Sequence, residues 1–255
     1  MKVSDILMAI LCVILAALIV ACYVMAGRDY RTKDCGGLYV NVSKDYRFVE
    51  DTEVSDLILS KYGDPAGMKA CEIDLDQIEE LIDAHSAVLK SQVWMGSDNS
   101  VHVSVTQRNP VVRFQMGDKG FYLDKTGCIF PLQSNYTASV PILDGNLPIE
   151  IGDGYKGEAK TPEDRLWVDD VLEMVEVMKG GLWEDNISQI RVVNENEIIL
   201  IPRTGNEKFY FGGPQNAADK FARIEKYYTH IKPSKEKGYY SSVDVRYKGQ
   251  IICRQ

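Results

Sequence analysis

The 21 residues from Ile6 to Ala26, ILMAILCVILAALIVACYVMA, carry no charge. As a helix this run spans about 31 Å at ~1.5 Å per residue, close to the hydrocarbon thickness of a bilayer. A segment of this kind has to be held in a membrane or removed, and nothing later in the chain is long and apolar enough to cross again. Three readings compete. An uncleaved anchor is favoured by length, since the apolar cores of secretory signals run to ~7–15 residues. A lipoprotein signal is suggested by Ile19-Val20-Ala21-Cys22, which resembles a lipobox and would make Cys22 the lipidated residue. Against it, the apolar run continues past Cys22 through Val24 and Met25. Ordinary cleavage is the third. The reading carried forward is a head at 1–5, a transmembrane helix at 6–26 and a polar linker at 27–37, GRDYRTKDCGG. Positive charges on the flanks (Lys2 before the run, Arg28, Arg31 and Lys33 after it) place the C-terminal side in the cytoplasm, but that rule weakens when a large domain follows. Charge leaves the orientation open.

Of the 255 residues, 45% are hydrophobic and 26% charged, and the net charge is -8. Residues 38–255 carry -9 (25 basic, 34 acidic), with no run of Lys and Arg. That argues against nucleic acid as a partner, because phosphate binding needs a positive footprint. Cys12 and Cys22 lie in the apolar run; Cys35, Cys71, Cys128 and Cys253 are scattered, with neither CxxC nor metal-ligand spacing. Those four allow three disulfide pairings in an oxidising compartment, or four isolated thiols.

Periodicity predicts an α+β chain of two domains. In the first, 38–112, LYVNV alternates like a strand. A helix over Asp51–Tyr62 has Asp51 as its cap and Val54, Leu57, Ile58 and Tyr62 as its stripe, and Gly63 ends it. A second helix over Leu75–His85 opens on the pair Asp74 and Gln77 at capping-box spacing. AVLKSQVWM and VHVSVTQ, joined by GSDNS, form a hairpin. The unit reads β-α-α-β-β, with both helices on one face of a three-stranded sheet.

The second domain, 113–255, is predicted as mostly antiparallel strands with two helices. FYLDKTGCIFPL reads as strand, tight turn at Asp124–Gly127, strand; SVPILDG is a further short strand. Thr161-Pro162 opens a helix striped by Trp167, Val171, Met174, Val175 and Met178 and ended by Gly180-Gly181. QIRVVNENEIILI and KFYFGG are hairpin-like runs, and a last helix covers Asn216–Ile231. The chain closes on SSVDVRYKGQIICRQ. There Val243, Val245, Tyr247, Ile251 and Cys253 alternate with polar residues, and Ile252 alone breaks the pattern, so one final strand is expected with its odd residues in the core.

Catalytic chemistry is not apparent. His85, His102 and His230 fall outside HExxH and related contexts, and there is no GxSxG, P-loop or GxGxxG. Asp169-Asp170 and Glu79-Glu80 lie on amphipathic helices and read as solvated faces. Phe209, Tyr210 and Phe211 alternate within a strand and read as half core. The residues therefore describe an anchored interaction module without catalytic site, metal, cofactor or small-molecule substrate.

The order of features resembles the bacterial division protein family FtsQ/DivIB. A single N-terminal anchor precedes the β-α-α-β-β unit, which there is a POTRA domain. QRNPV (107–111) matches an Arg-x-Pro at the exit of that domain, YLDKTG an aromatic-x-Asp-x-x-Gly turn, and VDVRY a terminal Asp-x-Arg-Tyr strand of the family's β domain. The resemblance implies a cytoplasmic head, periplasmic domains, and a place in the inner membrane at the division septum. It implies a non-enzymatic divisome scaffold that binds the coiled-coil division proteins FtsB and FtsL by β-augmentation on its last strand. Arg246, Tyr247, Lys248 and Gly249 match the family's partner-contact region, and Ile251 and Ile252 extend it. The competing expectations are another POTRA-containing component of envelope assembly or secretion, and a periplasmic enzyme or ligand-binding lipoprotein anchored at Cys22.

Overall fold

The computed structural model describes residues 11–22, 33–179, 181, 183 and 186–255. The expected head, the two ends of the expected span, most of the linker and Gly180 lie outside the described residues. Residues 11–22 are helical, with exposed apolar side chains such as Leu11 and Ile19. No described helix is long and apolar enough to cross a membrane. The chain divides into Met1–Gln107 and Arg108–Gln255, so residues 108–112, expected in the first domain, open the second unit.

The first unit contains β1 (Leu38–Val42), α1 (Asp51–Lys61), α2 (Leu75–Asp83), β2 (Val88–Met95) and β3 (Val101–Gln107). The strand order is β1-β3-β2; β3 pairs parallel with β1 and antiparallel with β2. Valines at every second position drive this, because alternate side chains share a face. Val101, Val103 and Val105 are buried with Val54 and Ile58 of α1 and Ile78 and Ile82 of α2. On the opposite face Tyr39, His102 and Trp94 form a row across the three strands, the His102 ring stacked 5.3 Å from Tyr39 and 5.6 Å from Trp94.

Asp74 caps α2 as expected, its carboxylate accepting from Gln77 N at 3.0 Å. Asp51 does not cap α1. The cap position is Glu50, and the Asp51 carboxylate instead accepts from Val42 N at 2.7 Å, fixing the end of β1 to the start of the helix. Gln107, 4% exposed, closes the unit: its amide oxygen accepts from Phe48 N and Val49 N, and its nitrogen donates to Ser43 O and Tyr46 O.

The second unit contains β4 (Pro110–Met116), β5 (Lys119–Asp124), β6 (Ile129–Pro131), β7 (Ile142–Gly145), α3 (Pro162–Met178), β8 (Ile187–Asn194), β9 (Glu197–Pro202), β10 (Lys208–Gly212), α4 (Ala217–Lys226), β11 (Ser242–Asp244) and β12 (Ile252–Arg254). Its strands form one sheet in the order β12-β11-β10-β9-β8-β7-β4-β5-β6. Antiparallel pairs predominate, while β4-β7, β7-β8 and β10-β11 are parallel. Thr161 caps α3, its hydroxyl accepting from Asp164 N at 3.1 Å, and Trp167, Val171, Met174, Val175 and Met178 enter the core with Phe114, Ile190, Leu200 and Phe211. The last helix is shorter than expected. Asn216 stands in the left-handed region at φ +54°, α4 begins at Ala217, and beyond Lys226 the chain widens into a π-helical turn, Tyr227–Ile231.

Candidate functional site

The terminal stretch is a hairpin and not the single strand that its alternation predicts. β11 pairs parallel with β10, and β12 folds back antiparallel onto β11 with Val243 opposite Cys253 and Asp244 opposite Ile252. Two local features turn the chain. The Asp244 carboxylate accepts from Arg246 N at 3.1 Å, an Asx turn immediately after β11. Gly249 adopts φ +72°, and Gln250 N donates to Tyr247 O across the bend. The period of two thus runs through two short strands and the loop between them. Val243 and Val245 are buried as expected, but Tyr247 is 52% exposed and Asp244, expected on the wet face, is 1% exposed. Ile251 and Cys253 are half-buried against the core.

The hairpin is fastened to the sheet by two arginines. Arg246 Nε donates to Asp244 Oδ1 at 3.0 Å and Nη2 to Oδ2 at 2.7 Å, a two-pronged pair of the kind guanidinium and carboxylate planes favour. The same guanidinium lies 5.7 Å from the ring centres of Tyr210 and Tyr247. Gly212, at φ +79°, leaves room for it: a Cβ there would lie 3.1 Å from Arg246 Cγ. Arg223 of α4, buried, donates from Nε to Val245 O at 3.0 Å and from Nη1 to Asp219 at 2.6 Å. Burial pushes the Asp244 carboxyl up, but the hydrogen bonds and charge of Arg246 outweigh it and hold the carboxyl below its ordinary value. The hydrogen bond to Asp244 likewise raises Arg246.

The sheet edges differ in how their backbone groups are covered. In the first unit, β2 is blunted by α2: Asp83 accepts from Ser91 N at 2.8 Å and Glu79 from Val93 N at 3.1 Å. At β1, Asp51 takes Val42 N. In the second unit, β6 ends in Pro131, and Ile129 exchanges two backbone hydrogen bonds with Gly157. β12 lies at the other end of the nine-stranded order, and among the described residues no strand, bridge or carboxylate covers its outer side. An edge strand turns alternate N–H and C=O groups away from its neighbour, and left uncovered these are a template for another strand.

The sequence-predicted contact residues fall together at this edge, in a changed arrangement. Arg246, Tyr247, Lys248 and Gly249 occupy the hairpin loop, Ile251 precedes β12, and Ile252 is its first residue. Cys253 and Arg254, the rest of the edge strand, and Asp244 and Arg223, which hold the hairpin, were missed. The Lys248-Gly249 dipeptide was the available turn signal. Each of the six cysteines carries a free thiol, and no described group of His, Cys, Asp and Glu is arranged to hold a metal.

Compared with known families, residues 109–254 match the model described as FtsQ/DivIB, C-terminal related. Residues 33–106 match the model of a POTRA-like domain. No curated protein matches the chain.

Proposed function

The chain belongs to the FtsQ/DivIB C-terminal related family, whose model covers more than half of it, and from that premise we propose that it is a membrane-anchored divisome scaffold whose β12 edge receives an extended segment of an FtsB- or FtsL-like partner. The family is one of non-enzymatic scaffolds, and the two matched domains, one POTRA-like, fit a role in cell division. In this reading residues 6–26 hold the protein in the inner membrane with its N-terminus cytoplasmic, and both folded units stand in the periplasm at the septum. The uncharged run Ile6–Ala26 and the helix at 11–22 support the anchor.

The observation that carries the proposal is the uncovered β12 edge, in contrast to the covered β2 and β6 edges. A strand of three residues offers few backbone hydrogen bonds, each contributing ~0.5–1.5 kcal/mol net. Backbone pairing alone therefore does not select a partner, and the side chains beside the edge have to contribute. Tyr247 on the loop and Ile252 at the start of β12 are placed to do so.

Photo-crosslinking in dividing cells tests the reading. A crosslinker at Tyr247 or Ile252 is expected to capture a small single-pass coiled-coil division protein, while one at Lys90 on β2 does not. Capture of that protein equally from Lys90, or from neither hairpin position, overturns the proposal.

A further inference from the structure

Charge is strongly segregated along this acidic chain. Residues 220–255 carry 9 basic and 3 acidic side chains and residues 1–219 carry 20 and 34, so a net charge of -8 divides into +6 and -14. The basic side chains of the terminal stretch are interleaved with aromatic and apolar residues, and no run of Lys and Arg marks them.

The structure sorts seven of the nine into two groups; of the other two, Lys220 donates to Gly213 O and Lys226 is exposed on α4. Arg223, Lys232 and Arg246 are neutralised within the unit, by Asp219, Glu207 and Asp244 respectively. Lys235, Lys237, Lys248 and Arg254 are exposed and make no ion pair among the described residues. Two of the four, Lys248 and Arg254, flank the open edge. Arg254 is the last residue of β12, and Lys248 lies in the loop before it. Lys235 and Lys237 belong to the stretch leading into β11, which ends where Ser241 N donates to Arg254 O at 2.9 Å. Of the three acidic residues in the region, Asp244 is buried beneath Arg246, which leaves Glu225 and Glu236.

We propose that the strand accepted by the β12 edge is acidic, an extended segment carrying Asp or Glu beside its pairing residues. This rests on the reading of β12 as the docking edge and adds the partner's charge. Unpaired basic groups at both ends of an edge strand favour an incoming carboxylate by Coulomb attraction, and in a polar rim such groups act on association rate and selectivity. They also exclude the obvious wrong partner. A second copy pairing edge to edge brings Lys248 and Arg254 against the same residues, and like charges at an edge oppose such pairing. The covered edge of β2 follows the same chemistry within the chain, since its strand N–H groups are taken by the carboxylates of Glu79 and Asp83.

The test is binding of the full chain, in neutral detergent, to ten-residue peptides that alternate valine with glutamate, glutamine or lysine. The glutamate peptide is expected to bind roughly tenfold more tightly than the glutamine peptide, and that advantage to fall several-fold between about 50 mM and 500 mM salt. The double variant Lys248→Gln, Arg254→Gln is expected to bring the glutamate peptide down to the glutamine level and leave the glutamine peptide unchanged. Equal binding of both peptides overturns the proposal and leaves the docking edge standing. Absence of binding by every peptide overturns the docking edge, and this proposal with it. Binding of phosphatidylglycerol vesicles that the glutamate peptide does not displace assigns the basic groups to a lipid surface and also overturns it.

Discussion

Arg108 Nη1 donates to Asp124 Oδ2 across 2.7 Å, with the two side chains 11% and 2% exposed. The other oxygen of Asp124 accepts from Thr126 N, Thr126 Oγ1 and Cys128 N, so one carboxylate holds both the β5–β6 turn and the arginine that opens the second unit. Removing one member of a buried pair leaves the other charge uncompensated, which typically costs about 3–5 kcal/mol. Asp124→Ala is therefore expected to destabilise the second unit by about that amount in urea denaturation. The double variant with Arg108→Ala is expected to lose less than the two single losses added. A wild-type midpoint for Asp124→Ala contradicts this assignment.

That pair also shows what the sequence made legible. QRNPV and YLDKTG were separate motifs by resemblance, and the structure joins them through Arg108 and Asp124. The helix caps at Asp74 and Thr161, the β2–β3 hairpin and the stripe of α3 were readable because each is a local pattern of spacing and side-chain chemistry. The parallel pairings of β7 with β4 and β8, which merge separate runs into one sheet, have no local signature. The terminal hairpin is masked in the sequence because its loop continues the alternation of its strands across the turn signal at Gly249. The burial of Asp244 has no signature in the alternation, because its partner, Arg246, is two residues away and reaches back over the turn.

Arg246 is expected to matter more for stability than for direct contact. Arg246→Ala leaves Asp244 buried without its partner, and a loss of ~1–3 kcal/mol is expected for an unsatisfied buried acceptor, reduced by the partial exposure of the arginine. Gly212→Ala is expected to cost a further ~1–2 kcal/mol on its own, since the left-handed backbone and Arg246 Cγ both resist a methyl group. Thermal denaturation monitored by near-UV circular dichroism reads both.

Asp244 predicts an acid limb. Its carboxyl titrates below its ordinary value in the folded protein, so its contribution is complete above the unfolded value of about 3.9 and is lost as pH falls through the lower folded value. Wild type is expected to be more stable than Asp244→Asn near pH 6, with the difference shrinking below about pH 4. A difference that stays constant down to pH 2 contradicts this origin.

Glu79 and Asp83 predict an aggregation phenotype. Replacing both by alanine frees Ser91 N and Val93 N on β2 and exposes a strand edge. Light scattering of the full chain in neutral detergent is expected to show concentration-dependent self-association that is stronger in the double variant than in the parent.

The cysteines predict an order of labelling. Cys71 is exposed, whereas burial shields Cys128 and pushes its thiol up. Cys71 is expected to react with an alkylating reagent well ahead of Cys128, because the thiolate is the reacting form. Burial also raises the thiol of Cys253 in β12, and partner binding is expected to slow it further. Mass spectrometry of timed digests distinguishes the three sites.

The central claim is that a partner strand completes the sheet at β12. Amide hydrogen exchange of the full chain, with and without its FtsB- or FtsL-like partner, tests it most directly. Pairing predicts new protection at Cys253, because Ser242 and Asp244 of β11 face Arg254 and Ile252 and the alternation leaves the Cys253 N–H turned outward to gain an acceptor. Bound partner with exchange unchanged at Cys253 and slowed elsewhere on the second unit contradicts it.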